Sequence, residues 1–423
     1  MNLRHNHFFT HECRSIGVPI RVSALLGLLL TFLITPSLHA QCFYEAVELR
    51  GPATCGGGLT ANFRPRALDA QGNAVGASSC NLALFASLVR ADGSASWLTP
   101  IPNTGESWAF GMLDPDHIVG HAVPSGQSLT IAAKWEFGQG SLLGLLPGSN
   151  TSSALGINQS GLIVGQSINN NIGPSEAFIV VDGQMTSLEL PFGRNAIARD
   201  VNDLGHVTGW MGASPLTDSH VYIWNEKMVI DLGVIPGGTT AEGLAINNLS
   251  HIVGRGRVPD GVTVFGSPQA ILWDGQVLNR LPQLQDHIES SALALNDADQ
   301  IVGNSFVGGA TPGRFATLWQ DGQVYNLRDL LVTDLGDLRN SSGWAINNKG
   351  QILLDEGSAY LLTPIDSPPG DVDHNCKVDV EDLLILLGDW GKTLSIADVD
   401  ANGIVDVLDL LQVLADWGLG GQS

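Results

Sequence analysis

Residues 154–167 read ALGINQSGLIVGQS, two short apolar runs split by an Asn and a Gly. Apolar runs of this length on either side of a turn read as a β-hairpin. The Asn–x–x–Gly turn suits it, because Asn tolerates left-handed backbone and bonds locally. The cassette returns along the chain. Indexed on its Asn, the equivalent positions are Asp69, Leu113, Asn158, Asn202, Asn247, Asn296 and Asn347. Successive spacings are 44, 45, 44, 45, 49 and 51 residues, close to the period of propeller blades.

Each copy has a second half, an apolar run often ending in Trp and a tight turn, as in HVYIWNEKMVIDL (220–232), QAILWDGQVLNRL (269–281) and FATLWQDGQVYNL (315–327). Asp274-Gly275 is a turn of this kind. A unit is thus expected to hold four strands in meander order. The ends of the array decide between a stack and a ring. CFYEAVELR (42–50) precedes the first cassette as a lone strand, and the last copy, 343–364, has three strands only. One orphan strand at the start and one strand missing at the end predict a shared blade that closes a ring and removes exposed edges. Four residues before the index stand Pro65, Ala109, Ala154, Ala198, Gly243, Ala292 and Gly343, and two before it stand Ala67, Gly111, Gly156, Asp200, Ala245, Ala294 and Ala345. Small residues on alternate positions suit the crowded inner strand. The expected fold is all-β, a seven-bladed β-propeller over 41–364.

The IN..G.IVG core with its Trp-bearing second half resembles the bacterial extracellular HAF-type repeats over roughly 42–364. Leu113 in place of Asn and Leu354 in place of the late Gly depart from the pattern. The resemblance implies secretion and a propeller-like fold, and brings no activity or catalytic residues with it.

Composition is consistent with this. The chain has 423 residues, 51 of them Gly, with 44% hydrophobic and 15% charged residues, which favours β-structure with many turns. A formal net charge of −22 argues against a nucleic-acid partner. Arg4, Arg14 and Arg21 flank the apolar run Val22–Thr35, and SLHA ends at Ala40. That is the pattern of a secretory signal over 1–40, too short to span a bilayer. No second apolar span follows, so a soluble exported protein is expected. Cys42, Cys55, Cys80 and Cys376 remain after such a cleavage, and an oxidising compartment permits disulfides.

Strand order places the turns within each half on one face and the longer connections on the other. Those connections are the expected binding face, with Trp210, Phe265 and Phe306 as aromatic candidates for a glycan or a protein. The same face would carry Cys55 and Cys80, the favoured disulfide, with Cys42–Cys376 a remoter pairing. No GxSxG, HExxH or P-loop occurs, so no catalytic residue is named. His117, His206 and His251 share one repeat position just after the cassette turn, which reads as a solvated strand start. Asp200 is the one carboxylate at a small inner position, a paired or hydrated acid with no second carboxylate at an equivalent place.

After the Pro-rich linker 365–370 the composition changes. DVDHNCKVDVEDLLILLGDWG (371–391) and DVDANGIVDVLDLLQVLADWG (398–418) match at 14 of 21 positions. Their oxygens fall at the spacing of a Ca²⁺-binding loop. The first offers Asp371, Asp373, Asn375, the Lys377 carbonyl, Asp379 and Asp382. The second offers Asp398, Asp400, Asn402, the Ile404 carbonyl, Asp406 and Asp409. Val378 and Val405 are placed to let the loops pair, and LLILL and LLQVL to start helices. Each loop lacks a clear preceding helix, so 371–418 resembles a dockerin type I module. The resemblance implies two Ca²⁺ and docking to a cohesin, often in polysaccharide-degrading assemblies. Cys376 stands where a sharp turn wants Gly, and Val380-Glu381 and Val407-Leu408 depart from the Ser-Thr pattern of partner-selecting positions. A module of 371–423 is expected. The sequence thus reads as a secreted, non-catalytic binding propeller tethered at the cell surface or outside it. The alternative is a glycoside hydrolase or lyase delivered to polysaccharide by the same tail.

Overall fold

A computed structural model describes residues 43–418, apart from 54–60, 82, 170–174, 189, 191–194, 215, 227, 260, 262–265, 310–311, 366–368, 374–377 and 394. The expected signal segment, Cys42, Cys55, Phe265, Asn375, Cys376 and Lys377 lie outside the described residues. Seven antiparallel four-stranded sheets make up the fold. Six are meanders of consecutive strands. The seventh takes Phe43–Leu49 as its outer strand, paired with Ala359–Ile365 from Phe43↔Ile365 to Leu49↔Ala359. Phe43 and Tyr44 are fully buried in that blade, so the closure is a packed interface as well as a hydrogen-bonded one.

The first strand of each meander lies innermost. These strands are Phe63–Leu68, Thr104–Asp114, Thr151–Ile157, Asn195–Val201, Thr240–Ile246, Glu289–Leu295 and Ser342–Ile346. Successive ones touch all the way round, the last against the first. There is no single core. Apolar clusters instead fill the wedges between blades, such as Val75, Ala86 and Leu88 against Ala109, Met112 and Ile118. The small residues four before the index pack there fully buried at Ala109, Ala154, Ala198 and Ala292.

Every innermost strand also carries a β-bulge, at Arg66, Phe110, Leu155, Arg199, Leu244, Leu293 and Trp344. An extra residue there re-aims the local backbone. The late Gly of the cassette answers it. A Cβ on Gly254 would lie 1.9 Å from the Glu242 carbonyl oxygen, and one on Gly209 1.8 Å from that of Ile197. In blade 7 Leu354 fills this place, opposite Gly343.

Beyond the propeller, α1 (Val380–Gly388) and α2 (Val407–Ala415) follow the two acidic loops. Among the described residues no helix is long and apolar enough to cross a membrane.

Candidate functional site

The index Asn bonds locally as expected but does not itself take the left-handed conformation. The left-handed residue is three positions later, as at Gly161, Gly205, Ser250 and Gly350. The Asn itself works in two directions. Its Oδ1 accepts from the backbone N–H groups two and four residues on, as Asn247 does from Leu249 and His251. Its Nδ2 donates to the index carbonyl of the next blade. The series runs from Asn158 to Asn202 (2.8 Å), Asn247 (2.8 Å), Asn296 (3.0 Å), Asn347 (3.1 Å) and Asp69 (2.9 Å). Asp69 has no N–H to pass on. At Leu113 the strand runs on to a two-residue turn closed by Asp114 and His117, so no Asn is needed.

One position further, a second ring alternates acid and amide. Asp203 accepts from Asn248, and Asn248 and Asn348 both donate to Asp297, at 2.8–3.2 Å. These residues line a pocket of about 230 Å³ that also holds Asp200. Burial raises the Asp200 carboxyl to about 6, against the pull of the Ile246 and Val201 N–H groups it accepts from. Asp203 adds to the rise. Asp200 has no carboxylate at an equivalent place, as the repeat indicated, but Asp203 and Asp297 reach its pocket from another repeat position. His206 and His251 bond across blades to Ser250 and Asp299, and His117 bonds Asp114 within its own turn. They do not converge.

The bulged residues form a second constellation, three positions back from the index and so about 10 Å away at ~3.3 Å per residue. The Arg66 guanidinium lies 4.2 Å from the Trp344 ring centre and 5.4 Å from that of Trp108. Trp108 stacks on Phe110, whose ring meets His121 edge-on. Burial depresses His121 to about 4, and its Nδ1 lies 3.0 Å from Ser153 Oγ in the next blade. On the far side Arg255 pairs with the buried Glu242 at 3.1 Å. The Nε of Arg199 is buried without a hydrogen-bond partner.

The aromatic candidates fall elsewhere. Trp210 sits within the strand Val207–Ser214, 4% exposed, a packing residue rather than a loop aromatic. Phe306 is the penultimate residue of the strand Ile301–Val307, half-buried. The loops begin later than the turn-forming residues suggested, because paired backbone carries both strands past them. Cys80 is disulfide-bonded. Ser79 donates its N–H to the Asn62 carbonyl, and Cys55, the expected partner of Cys80, lies outside the described residues.

In the tail, Asp371, Asp373 and Asp382 bring one oxygen each within 4.8 Å of the others, and so do Asp398, Asp400 and Asp409. These clusters could hold a metal ion. The halves repeat in detail. Asp382 accepts the N–H groups of Val372, Asp373 and Asp379, and Asp409 those of Val399, Asp400 and Asp406. Asp379 and Asp406 each cap a helix, with identical backbone angles, φ −141° and ψ −160°, and stand outside the two carboxylate trios. Asn402 is tied to Asp400, and its Oδ1 accepts from Ile404. Val378 and Val405 share one buried cluster, but their backbones do not pair with each other. The Val405 carbonyl accepts from Gly391, and that of Val378 from Gly418, so each loop pairs with the end of the other half's helix.

No protein-family model matches this chain, and no curated protein matches it in sequence. Solved structures resemble it at low identity. The β-propeller domain of the Trilobed protease from Pyrococcus furiosus, described as an open velcro, is 15% identical over 66% of this chain and 83% of its own, with a TM-score of 0.42. An oligogalacturonate lyase in complex with manganese is 11% identical over 77% and 99%, with a TM-score of 0.49. Virginiamycin B lyase from Staphylococcus aureus is 13% identical over 76% and 99%, with a TM-score of 0.46. The propeller assignment stands on the seven sheets of this chain itself.

Proposed function

We propose that this protein is a secreted binding propeller carried on a calcium-structured docking module. The observation that supports it best is the duplicated acidic loop. Each half brings three carboxylates together and offers no His or Cys in the trio, an all-oxygen donor set suited to a hard cation such as Ca²⁺. Asp398 Oδ1 is buried with no hydrogen-bond partner while Oδ2 accepts from Gly403, which leaves Oδ1 suited to bind a cation. Asp371, Asp373 and Asp382 would hold one ion and Asp398, Asp400 and Asp409 the other. The ion would offset repulsion among carboxylates, and the loops would then fix both helix starts.

The helices leave a duplicated apolar stripe to solvent. Val380, Leu384, Leu387 and Trp390 on one half answer Val407, Leu411, Leu414 and Trp417 on the other, each about half exposed. Such a stripe beside so many acids suits a cohesin-like receptor with an apolar face and a basic rim. Calorimetry of the full chain tests the reading. Two Ca²⁺ should bind, and capture by a cohesin-type module should vanish with chelator. Absence of Ca²⁺ binding would sink it.

One observation favours a second reading, an extracellular enzyme acting on polysaccharide. Asp200, raised to about 6, shares a pocket with Asp203 and Asp297, and paired carboxyl groups serve glycoside cleavage. Both Asp200 oxygens already accept backbone N–H groups, which weighs for a structural acid. Sugar release from a glycan panel, lost in Asp203→Asn, would favour the enzyme.

A further inference from the structure

The repeated bulge places one residue of each blade on a common ring around the axis: Arg66, Phe110, Leu155, Arg199, Leu244, Leu293 and Trp344. All seven are partly buried. Five are apolar or aromatic and two are arginines, in a chain with only 20 Lys and Arg against 42 acids.

A guanidinium stays charged under all ordinary conditions, so burying one without a counter-charge costs several kcal/mol unless something compensates. Acids abound here, yet among the described residues neither Arg66 nor Arg199 forms an ion pair. Glu242, the acid nearest Arg199 in effect, is engaged by Arg255 at 3.1 Å. Arg199 keeps a buried Nε without a partner. Arg66 donates to the Pro65 carbonyl of its own strand, and its plane is held against Trp344 and Trp108. Burial lowers both guanidinium pKa values, which marks their charge as poorly solvated.

We infer that this ring is a binding site for a carboxylate-bearing ligand, with Arg66 and Arg199 as its anion-binding residues. The fork of a guanidinium matches a carboxylate in two parallel hydrogen bonds, and the five apolar neighbours exclude water and strengthen them. Leu155, Leu244 and Leu293 offer the ligand's body an apolar contact, so a bare inorganic anion uses only part of the site. The acid could come from a uronate sugar or from a small aliphatic acid. This site goes beyond the docking reading and does not depend on the tail.

Titration calorimetry of the secreted full chain tests it with glucuronate oligomers, citrate and a neutral glucose oligomer. A carboxylate probe should bind, at least tenfold more weakly in Arg66→Gln and in Arg199→Gln, and unchanged in Arg280→Gln on the exposed outer strand. Binding of glucuronate alone assigns the sugar source, and binding of citrate the small acid. Because an unpaired buried charge is removed, the thermal midpoint of Arg199→Gln should hold or rise, whereas a purely structural arginine would leave a lower one. The inference is overturned if no carboxylate probe binds, if the neutral oligomer binds as well, or if the Gln variants match the native protein. Calcium titration of the same samples reports the docking reading separately.

Discussion

Asn247 donates its Nδ2 to the carbonyl oxygen of Asn296 in the next blade, 3.0 Å away, while its own Oδ1 accepts two N–H groups of its turn. One side chain therefore shapes a hairpin and ties two blades together. That answers why the cassette repeats its Asn: the residue is a circumferential link, used five times in series.

Asn247→Ala should cost about 2 kcal/mol, because two partly buried turn donors lose their acceptor and the buried neighbouring carbonyl loses its donor. Denaturant unfolding of Asn247→Ala against Asn248→Ala, whose residue lies in the more exposed second ring, measures it. Equal losses would show that the link carries no special weight.

Gly254→Ala should be among the most damaging single changes in the propeller. The added Cβ would stand 1.9 Å from the Glu242 carbonyl oxygen and 3.2 Å from Gly243 Cα, which demands undoing the bulge. A loss of roughly 3 kcal/mol or more is expected, read as reduced expression yield and a lower thermal midpoint. Gly138→Ala, with open space around it but left-handed backbone, should cost only about 1 kcal/mol.

Asp200 makes stability depend on pH. Its folded pKa of about 6 lies above the ~3.9 of an unfolded chain, so folding takes up a proton between those values. This contribution is greatest at low pH and is lost as pH rises through 6. His121 acts oppositely, since its folded value of about 4 lies below the ~6.5 of free histidine and costs stability as pH falls from 6.5 to 4. Comparing Asp200→Asn with the native chain isolates the first effect. Its thermal midpoint should gain on the native one between pH 4 and 6, and a constant difference would refute the assignment.

Removing calcium should unfold the two helices and leave the propeller intact. Far-ultraviolet circular dichroism with and without chelator should show a small helical loss and unchanged β-signal. Asp409→Ala should abolish the second half's response, since that residue collects three backbone N–H groups as well as joining the trio. No change on chelation would contradict a metal-dependent tail.

Leu384→Asp and Leu411→Asp should each leave receptor capture measurable, and the double variant should abolish it. The two stripes are similarly exposed in the internal repeat, so under the docking proposal either half offers the same apolar face. Complete loss in a single variant would show that the halves are not interchangeable.

Blade number, strand order and the closing pair Phe43–Leu49 with Ala359–Ile365 were all readable from the repeat, because burial writes a period into apolar residues and a missing strand into the array's ends. The acidic loops were readable for the same reason, as side-chain oxygens must recur at fixed spacing. The bulge was not, since one extra unpaired residue leaves the hydrophobic pattern unchanged. A column three before the index would have shown its two arginines, but nothing in the spacing marks that column as distinct. Asp379 and Asp406 show the limit from the other side: their spacing suggests metal ligands, and only the fold shows that they cap helices.

The chain alone determined which segments pair and how many times, because hydrogen bonding and burial between neighbours in sequence are local and periodic. Only the closed ring decided which residues meet. Arg66 reaches Trp344, 278 positions away, and Asp200 shares a pocket with Asp297, because closing the circle brings one residue from every blade to the axis.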